Sequence, residues 1–199
     1  MVSTLLVLSL WIVSDSYAFQ PKVLSHLDSL TARVWTLEDG LPVNTINKIA
    51  QDEDGYIWLT TYDGLVRFDG LEFKVYNFSN TPEMLNNRTT QLYIQKNVGL
   101  WVALEYGGVL LKRGEEFEYF GINEGFTNSD ITKIFEDKYG RVFLVTLEGL
   151  YVYQDNNFRK FYDGDDILQN QISGTYLDPK DDTIWLTTHN GLAHIVDDE

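Results

Sequence analysis

Asp52, Asp54 and Gly55 have the residue types and spacing with which a calcium-binding loop begins. Such a loop continues with oxygen ligands at two-residue steps and closes with a glutamate, but the apolar segment Tyr-Ile-Trp-Leu-Thr follows here. A phosphate-binding loop needs a lysine and a serine or threonine after its glycines, and these are missing as well. We therefore interpret residues 52–55 as a turn between two strands, with a metal site as the alternative.

Other chemistries that depend on particular side chains have little basis in the sequence. The chain contains no cysteine, which excludes disulfides, thiolate catalysis and cysteine-ligated metals. His26, His189 and His194 show no H-x-x-x-H spacing, which argues against a zinc site, and they do not indicate a Ser-His-Asp triad. Asp63 and Glu148 are available as a carboxylate pair, but among 30 acidic residues some pair is expected by chance. We expect no catalytic residue, no metal site and no cofactor.

The charge balance limits the class of partner. Thirty acidic and 15 basic residues give a net charge of −15, which would repel the phosphates of a nucleic acid and an anionic membrane surface. Apolar residues make up 44% of the chain, which is enough for a packed core. The sequence therefore indicates a folded domain that does not bind nucleic acid.

The first 18 residues have the pattern of a secretory signal peptide. Thr4–Val13 is apolar, and Ala18 is a small residue at a plausible cleavage point. No lysine or arginine precedes the apolar segment, so a start further upstream or a buried strand is the alternative. We expect residues 1–18 to direct export and residues 19–31 to lead into the folded domain.

A repeat of about 42 residues organises the rest of the chain. Its most regular positions are four bulky rings at steps of 43, 42 and 42 residues: Trp58, Trp101, Phe143 and Trp185. Each ring lies in a short strand-like segment that is followed by a turn pair such as Asp63-Gly64 or Asn190-Gly191. Such pairs permit positive φ at both central positions of a two-residue hairpin. Each repeat is therefore predicted to be a four-stranded antiparallel meander.

The repeat length and the strand number together predict an all-β fold, a β-propeller built of four-stranded antiparallel blades. One such sheet cannot bury both of its faces, so the sheets must stack on each other. Repeats of roughly 40–50 residues with four strands each are typical of propeller blades. Residues 32–199 are then a partial propeller of four repeats, in which each bulky ring fills the space between two neighbouring blades.

Many of these positions resemble the two-component-regulator propeller repeat. The family pattern combines Gly-Leu-Pro-x-Asn, Ile-x-x-Ile, Asp-x-x-Gly, an aliphatic-Trp-aliphatic strand with a threonine, and Gly-Leu-x-x-aromatic. The first repeat meets this pattern with Gly40, Leu41, Pro42, Asn44, Ile46, Ile49, Asp52, Gly55, Trp58, Thr61, Gly64, Leu65 and Phe68. The third and fourth repeats keep part of it, whereas the second lacks the acid before its turn. The resemblance covers residues 31–196.

The resemblance implies a function as well as a fold. It implies the exported, periplasmic sensor of a bacterial signalling receptor that is tethered to the inner membrane in the full-length protein. The partners would be the rest of the receptor polypeptide and a second copy in a homodimer. The output module of such receptors is a histidine kinase or a GGDEF diguanylate cyclase, and neither is recognisable in these residues. The opening VWTLEDGLP slightly favours the cyclase branch, and we expect the chain to be the N-terminal part of a longer receptor.

The number of blades in the complete ring has two interpretations. Ala32–Trp35 precedes its repeat as a fourth strand would, and the last repeat stops after a third strand. If Ala32–Trp35 joined the three strands of the last repeat, it would complete a fourth blade and close a four-bladed ring. The family resemblance instead implies a fragment of a ring of about seven blades, and we favour this larger ring.

Strand direction predicts which turns share a face. With the strands of a blade named a to d, the b–c turns and the loops that join strand d to the next strand a lie on one side. We expect a central funnel there that binds a small polar ligand, a glycan or a peptide, by stacking and hydrogen bonding. The candidate ligand-binding residues are Tyr62, Asp63, Arg88, Tyr106, Glu148, His189 and Asn190. Turn geometry alone accounts for several of these, so the two tyrosines and the histidine are the stronger candidates.

Two other functions stay open at this stage. A propeller can act as a protein-docking scaffold, which would show an exposed apolar patch on one face. It can also act as a lyase or a hydrolase, although the sequence assigns no catalytic residue to such an activity. Arg88 likewise has two interpretations, because it can bind a ligand carboxylate or pair with a neighbouring acid.

Overall fold

The computed structural model describes residues 31–126, 130–161, 172–181 and 183–195. The chain divides into two units, Met1–Val34 and Trp35–Glu199. Within the first unit only residues 31–34 are described, and they form neither helix nor strand. The predicted signal peptide and nearly all of the lead-in lie outside the described residues. The described residues contain no helix of the length and apolarity that a membrane span requires.

The second unit consists of four antiparallel meanders, which we call blades 1 to 4. Blade 1 contains β1 (Ile46–Gln51), β2 (Ile57–Thr61), β3 (Gly64–Phe68) and β4 (Phe73–Tyr76). Blade 2 contains β5 (Thr89–Gln95), β6 (Gly99–Leu104), β7 (Val109–Arg113) and β8 (Glu116–Phe120). Blade 3 contains β9 (Ile131–Glu136), β10 (Val142–Thr146), β11 (Gly149–Gln154) and β12 (Asn157–Lys160). Blade 4 contains β13 (Ile172–Leu177), β14 (Ile184–Thr188) and β15 (Gly191–Ile195). Two short 3-10 helices, Leu37–Asp39 and Ile122–Glu124, precede blade 1 and blade 3.

The four bulky rings occupy equivalent positions in strand b of their blades. Trp58 pairs with Ala50 of strand a and Arg67 of strand c, and the other three rings have the same two-sided pairing. This alignment follows from the alternation of the strands, because a shift by one residue would turn every ring to the opposite face. The predicted all-β fold of four-stranded antiparallel blades is confirmed.

Each of the first three rings packs against the blade that follows it in the sequence. Trp58 shares a buried cluster with Leu100 and Val102 of blade 2. Trp101 is fully buried against blade 3, and Phe143 is fully buried against blade 4. Burying a ring of this size removes a large apolar area from water, so these contacts dominate the attraction between the blades. The predicted role of the rings as fillers between neighbouring blades is confirmed for three of them.

The b–c turns differ from the predicted hairpin. Thr61 pairs with Gly64, so Tyr62 and Asp63 are the two central residues, and neither has positive φ. The φ of Gly64 is +127°, and a Cβ there would lie 2.4 Å from the carbonyl oxygen of Tyr76. The expectation of positive φ at both Asp63 and Gly64 was therefore wrong. Glycine is required because its backbone approaches strand d, which a side chain would prevent.

The structure also corrects the interpretation of the segment before blade 1. Ala32–Trp35 does not form a strand, so it is not the fourth strand that closure by this segment would need. Trp35 contributes its ring, which packs edge-on against Phe68 with centroids 5.2 Å apart. The chain then turns at Thr36, whose backbone N–H donates to the Asp39 carboxylate at the start of the first 3-10 helix. This capping box ends the extended segment before it can pair along a sheet.

Candidate functional site

The b–c turns and the loops between blades meet on one side of the sheets, which we call the b–c face. Asn87, in the loop from blade 1 to blade 2, donates to the Asp63 carboxylate at 3.2 Å. Asn86 of the same loop donates to the carbonyl oxygen of Glu105 at 3.1 Å. The backbone N–H of Tyr106 donates to the carboxylate of Asp130, which precedes blade 3. The predicted grouping of turns and loops on this side is thus confirmed for the described residues.

Arg88 links the first two blades on the b–c face. Its guanidinium lies 4.0 Å from the centre of the Tyr62 ring and donates two hydrogen bonds to the Glu105 carboxylate. The Glu105 side chain is 16% exposed, so this bidentate pair is partly shielded from water, which strengthens it. The interpretation of Arg88 as the partner of a neighbouring acid is therefore confirmed. A ligand on this face would meet a stacked and fixed guanidinium.

Tyr106 is held in an unusual backbone conformation. Its φ is +55°, which is rare for a residue with a bulky side chain. Blade 2 reaches this conformation because its b–c turn is longer than the others and has Leu104 where the other blades have threonine. The Tyr106 ring is 65% exposed, so packing does not account for its position. The left-handed conformation belongs to the longer turn, and the exposed ring is accessible to a partner on this face.

The remaining candidates occupy equivalent tips in the later blades. Glu148 is exposed in the b–c turn of blade 3, and its backbone N–H donates to the Thr146 hydroxyl. His189 and Asn190 are exposed in the b–c turn of blade 4, where the Asn190 backbone N–H donates to the Thr188 hydroxyl. All seven predicted residues thus lie on turns or loops of the b–c face. Direct contact is shown only between Tyr62 and Arg88.

The segment that resembled a calcium loop forms a turn. Asp52 accepts hydrogen bonds from the Tyr56 backbone N–H at 2.9 Å and from the Trp58 indole N–H at 2.7 Å. The Gly55 backbone N–H donates to the Asp52 carbonyl oxygen, which closes the turn between β1 and β2. The Asp52 carboxylate therefore orients the ring that fills the space between blades 1 and 2. The interpretation as a turn is confirmed.

The strand directions place Asn86, Asn87 and Glu105 on this face, but the sequence did not single them out as candidate ligand-binding residues. The run Asn-Asn-Arg directly before strand β5 was a usable signal, because such residues bond neighbouring backbone in loops. Their partners lie as far as 24 residues away in sequence, as in the bond from Asn87 to Asp63. The length and path of the loop decide these contacts, and the residue pattern does not encode them.

Comparison with known proteins identifies the first repeat. Residues 40–63 match the family described as two component regulator propeller. These residues are similar to a two-component regulator propeller repeat. The match runs from the end of the first 3-10 helix through strands β1 and β2 to the b–c turn, so it includes Tyr62 and Asp63. The resemblance seen in the sequence is confirmed.

Solved structures extend the likeness in fold across most of the chain. Two of them are extracellular domains of hybrid two-component systems from B. thetaiotaomicron. One is 25% identical, with a TM-score of 0.62 over 78% of this chain and 22% of that chain. The other is 21% identical, with a TM-score of 0.63 over 78% of this chain and 21% of that chain. Their fold agrees with the blades described above.

A curated relative gives a closer but shorter match. A stretch of 45 residues is 47% identical to a histidine kinase of Formosa agariphila, and it covers 23% of this chain and 3% of the relative. The chain therefore spans a very small part of this relative's length and about a fifth of the length of the solved domains.

Proposed function

We propose that this chain belongs to the exported sensory region of a membrane-bound bacterial signalling receptor, and that its b–c face binds a polar ligand such as a glycan or a peptide. The blades and the two-component regulator repeat support the receptor part of this proposal. The likeness to extracellular domains supports an exported, periplasmic location. The exposed Tyr106 ring is the observation on which the ligand part depends most.

The chemistry of the b–c face suits a neutral polar ligand. Tyr62 and Tyr106 are 40% and 65% exposed, so both rings offer a surface on which a sugar ring or a peptide group can stack. Carboxylates and amides next to these rings supply hydrogen bonds that fix the orientation of a ligand. Tyr62 belongs to blade 1, and Arg88 and Glu105 tie it to blade 2. Binding there would change the contact between two blades, which is a route for a signal.

The output module of the receptor would lie outside these 199 residues. The histidine kinase from Formosa agariphila supports a kinase output. A diguanylate cyclase is the alternative that the segment before blade 1 suggested. We also propose that the complete ring is larger than four blades, because Tyr176 and Leu192 on the far side of blade 4 are 57% and 62% exposed.

Thermal unfolding of the 199-residue chain with a panel of neutral oligosaccharides and blocked peptides tests ligand binding. A ligand should raise the Tm of the wild type, and its Kd should rise at least tenfold in Tyr62→Ala and in Tyr106→Ala. Tyr139→Ala is the matched control, because Tyr139 is 56% exposed but lies in an a–b turn on the opposite side. If no compound shifts the Tm of folded protein, or if the control weakens binding equally, the proposed ligand site is wrong.

A protein-docking role is the second candidate. Leu85, Leu147 and Phe78 are 57%, 45% and 61% exposed on loops and turns of the same face, and exposed apolar side chains of this kind favour a protein partner. Leu85→Ser and Leu147→Ser separate the two functions. They should abolish capture of a protein partner if the face docks protein, and they should leave the Kd of a small polar ligand nearly unchanged.

A further inference from the structure

Three cations converge on one carboxylate at the c–d turns of blades 1 and 2, on the side opposite the b–c face. Lys74 Nζ lies 2.9 Å from the Glu115 carboxylate. Lys112 Nζ lies 3.9 Å from it, and the Arg67 guanidinium lies 4.0 Å from it. Three cations thus share one carboxylate at this point, in a chain whose net charge is −15. Such an arrangement attracts a further anionic group.

Lys112 is the fixed member of this cluster. Its side chain is only 6% exposed. Its ammonium lies 5.3 Å, 5.5 Å and 5.6 Å from the ring centres of Trp58, Tyr76 and Phe117, and it donates to the carbonyl oxygen of Gly114. Burial lowers the pKa of Lys112, and the nearby Glu115 carboxylate opposes that effect. Because these contacts fix the Lys112 ammonium, a ligand has to reach it at its present position.

Glu115 is the exposed member of this cluster. It is 68% exposed at the tip of the turn, next to Gly114, whose φ is +57°. The hydrogen bond from Lys74 lowers the pKa of Glu115, so the carboxylate is charged and held by its cations. The pair with Lys74 joins two partly exposed side chains and contributes little free energy, so the main cost of moving Glu115 into water is the lost contact with the buried Lys112. The three cations would then need another anion.

A buried hydroxyl beside the cluster is a second sign of an incomplete site. Tyr76 is 5% exposed, and its hydroxyl has no hydrogen-bond partner of normal geometry among the described residues. The hydroxyl also contributes, after Glu115, to raising the pKa of Lys74, which places it near that ammonium. The hydroxyl oxygen faces the Lys74 ammonium, but its O–H has no acceptor among the described residues and can be donated to a ligand oxygen.

The surroundings select the size and charge of the ligand. Glu115 borders two clefts between blades 1 and 2, of about 400 Å³ and about 680 Å³. The first cleft is also lined by Asp52, Glu53 and Asp54, and the second by Glu83 and Glu116, so a polyanion would be repelled. The bound Glu115 side chain shows that a carboxylate fits among the three cations. We propose that this position is a binding site for a small ligand with a single carboxylate, which replaces Glu115 between Lys74, Lys112 and Arg67.

Calorimetric titration of the full chain with D-glucuronate and with N-acetylglycine tests the proposal, and D-glucose serves as the neutral probe. In Glu115→Gln the internal competitor is gone, so at least one of the two carboxylates should bind at least tenfold more tightly than to the wild type. The one that gains affinity identifies a sugar acid or an amino-acid derivative as the source. Glu118→Gln is the matched control, because Glu118 pairs with Arg113 on the same hairpin at 2.6 Å and lies outside the cluster.

A second substitution separates binding from a general change of charge. The double variant Glu115→Gln, Lys74→Met should bind the carboxylate at least tenfold more weakly than Glu115→Gln does. D-glucose should not bind measurably at this site in any of the proteins. Lys74 is 48% exposed, so its loss should leave the fold intact, which circular dichroism verifies. The proposal would be overturned if neither carboxylate bound more tightly to Glu115→Gln than to Glu118→Gln. It would also be overturned if Lys74→Met did not lower the affinity that Glu115→Gln gains.

Discussion

Thr61, Thr146 and Thr188 close the b–c turns of three blades in the same way. Thr146, for example, donates its hydroxyl to the carbonyl oxygen of Gly149 at 3.0 Å and accepts from the backbone N–H of Glu148 at 3.1 Å. The threonine thus fixes the two tip residues that carry the candidate site. The recurrence of threonine was visible in the sequence. Its bonding role was not, because the sequence indicated the wrong pair of central residues.

Replacing Thr146 by valine should lower the free energy of unfolding by about 1–3 kcal/mol. Valine keeps the shape of this fully buried side chain but leaves the Glu148 N–H and the Gly149 carbonyl without their partner. Urea unfolding measures the change. Thr132→Val is the control, because Thr132 is exposed and makes one long hydrogen bond of 3.3 Å. Equal losses in the two variants would show that the turn does not depend on the Thr146 hydroxyl.

At the scale of the elements, a polar side chain six residues before each of the first three rings fixes strand b. Asp52 accepts from the indole N–H of Trp58, and Gln95 accepts from that of Trp101 at 2.9 Å. Asp137 precedes a phenyl ring without a donor, and it accepts instead from the arginine four residues further on. The missing acid of the second repeat is therefore replaced by an amide with the same function.

A hydrogen bond joins strand a of blade 2 to the end of strand a of blade 3 and makes this contact sensitive to alkaline pH. Tyr93 donates its hydroxyl to Glu136 at 3.0 Å. Burial and this acceptor raise the pKa of Tyr93 from 10.0 to about 12. The unfolded chain loses this proton near the ordinary value while the folded chain keeps it, so stability falls as pH rises.

The free energy of unfolding should therefore be fully present below about pH 10 and should decrease between about pH 10 and pH 12. Tyr93→Phe removes the proton and should make the decrease shallower over this range. Urea unfolding at intervals of half a pH unit measures both slopes. Identical slopes in the wild type and in Tyr93→Phe would contradict the assignment of the shift to Tyr93.

At the scale of the whole molecule, the repeat predicted the blades and their order. Four bulky rings at nearly equal spacing indicate four similar units, and each ring lies in strand b of its unit. The contacts between side chains of different blades were not predictable in the same way. The pair of Arg88 with Glu105 and the cations around Glu115 depend on how neighbouring sheets are aligned, which no local pattern encodes. The candidate ligand residues were placed on the correct face, but most of their neighbours became visible only in the structure.

The blades stack in sequence order, and each of the first three rings is covered by the next blade. Trp101 is fully buried in this way, whereas Trp185 is partly exposed beside Tyr176 and Leu192 and stacks on His194 of its own blade at 5.0 Å. The measurement that tests the stacking most directly is the free energy of unfolding of Trp101→Ala and Trp185→Ala in the 199-residue chain. Trp101→Ala should lose about 3–5 kcal/mol and Trp185→Ala about 1–2 kcal/mol. Equal losses, or a larger loss for Trp185→Ala, would contradict the stacking of the blades.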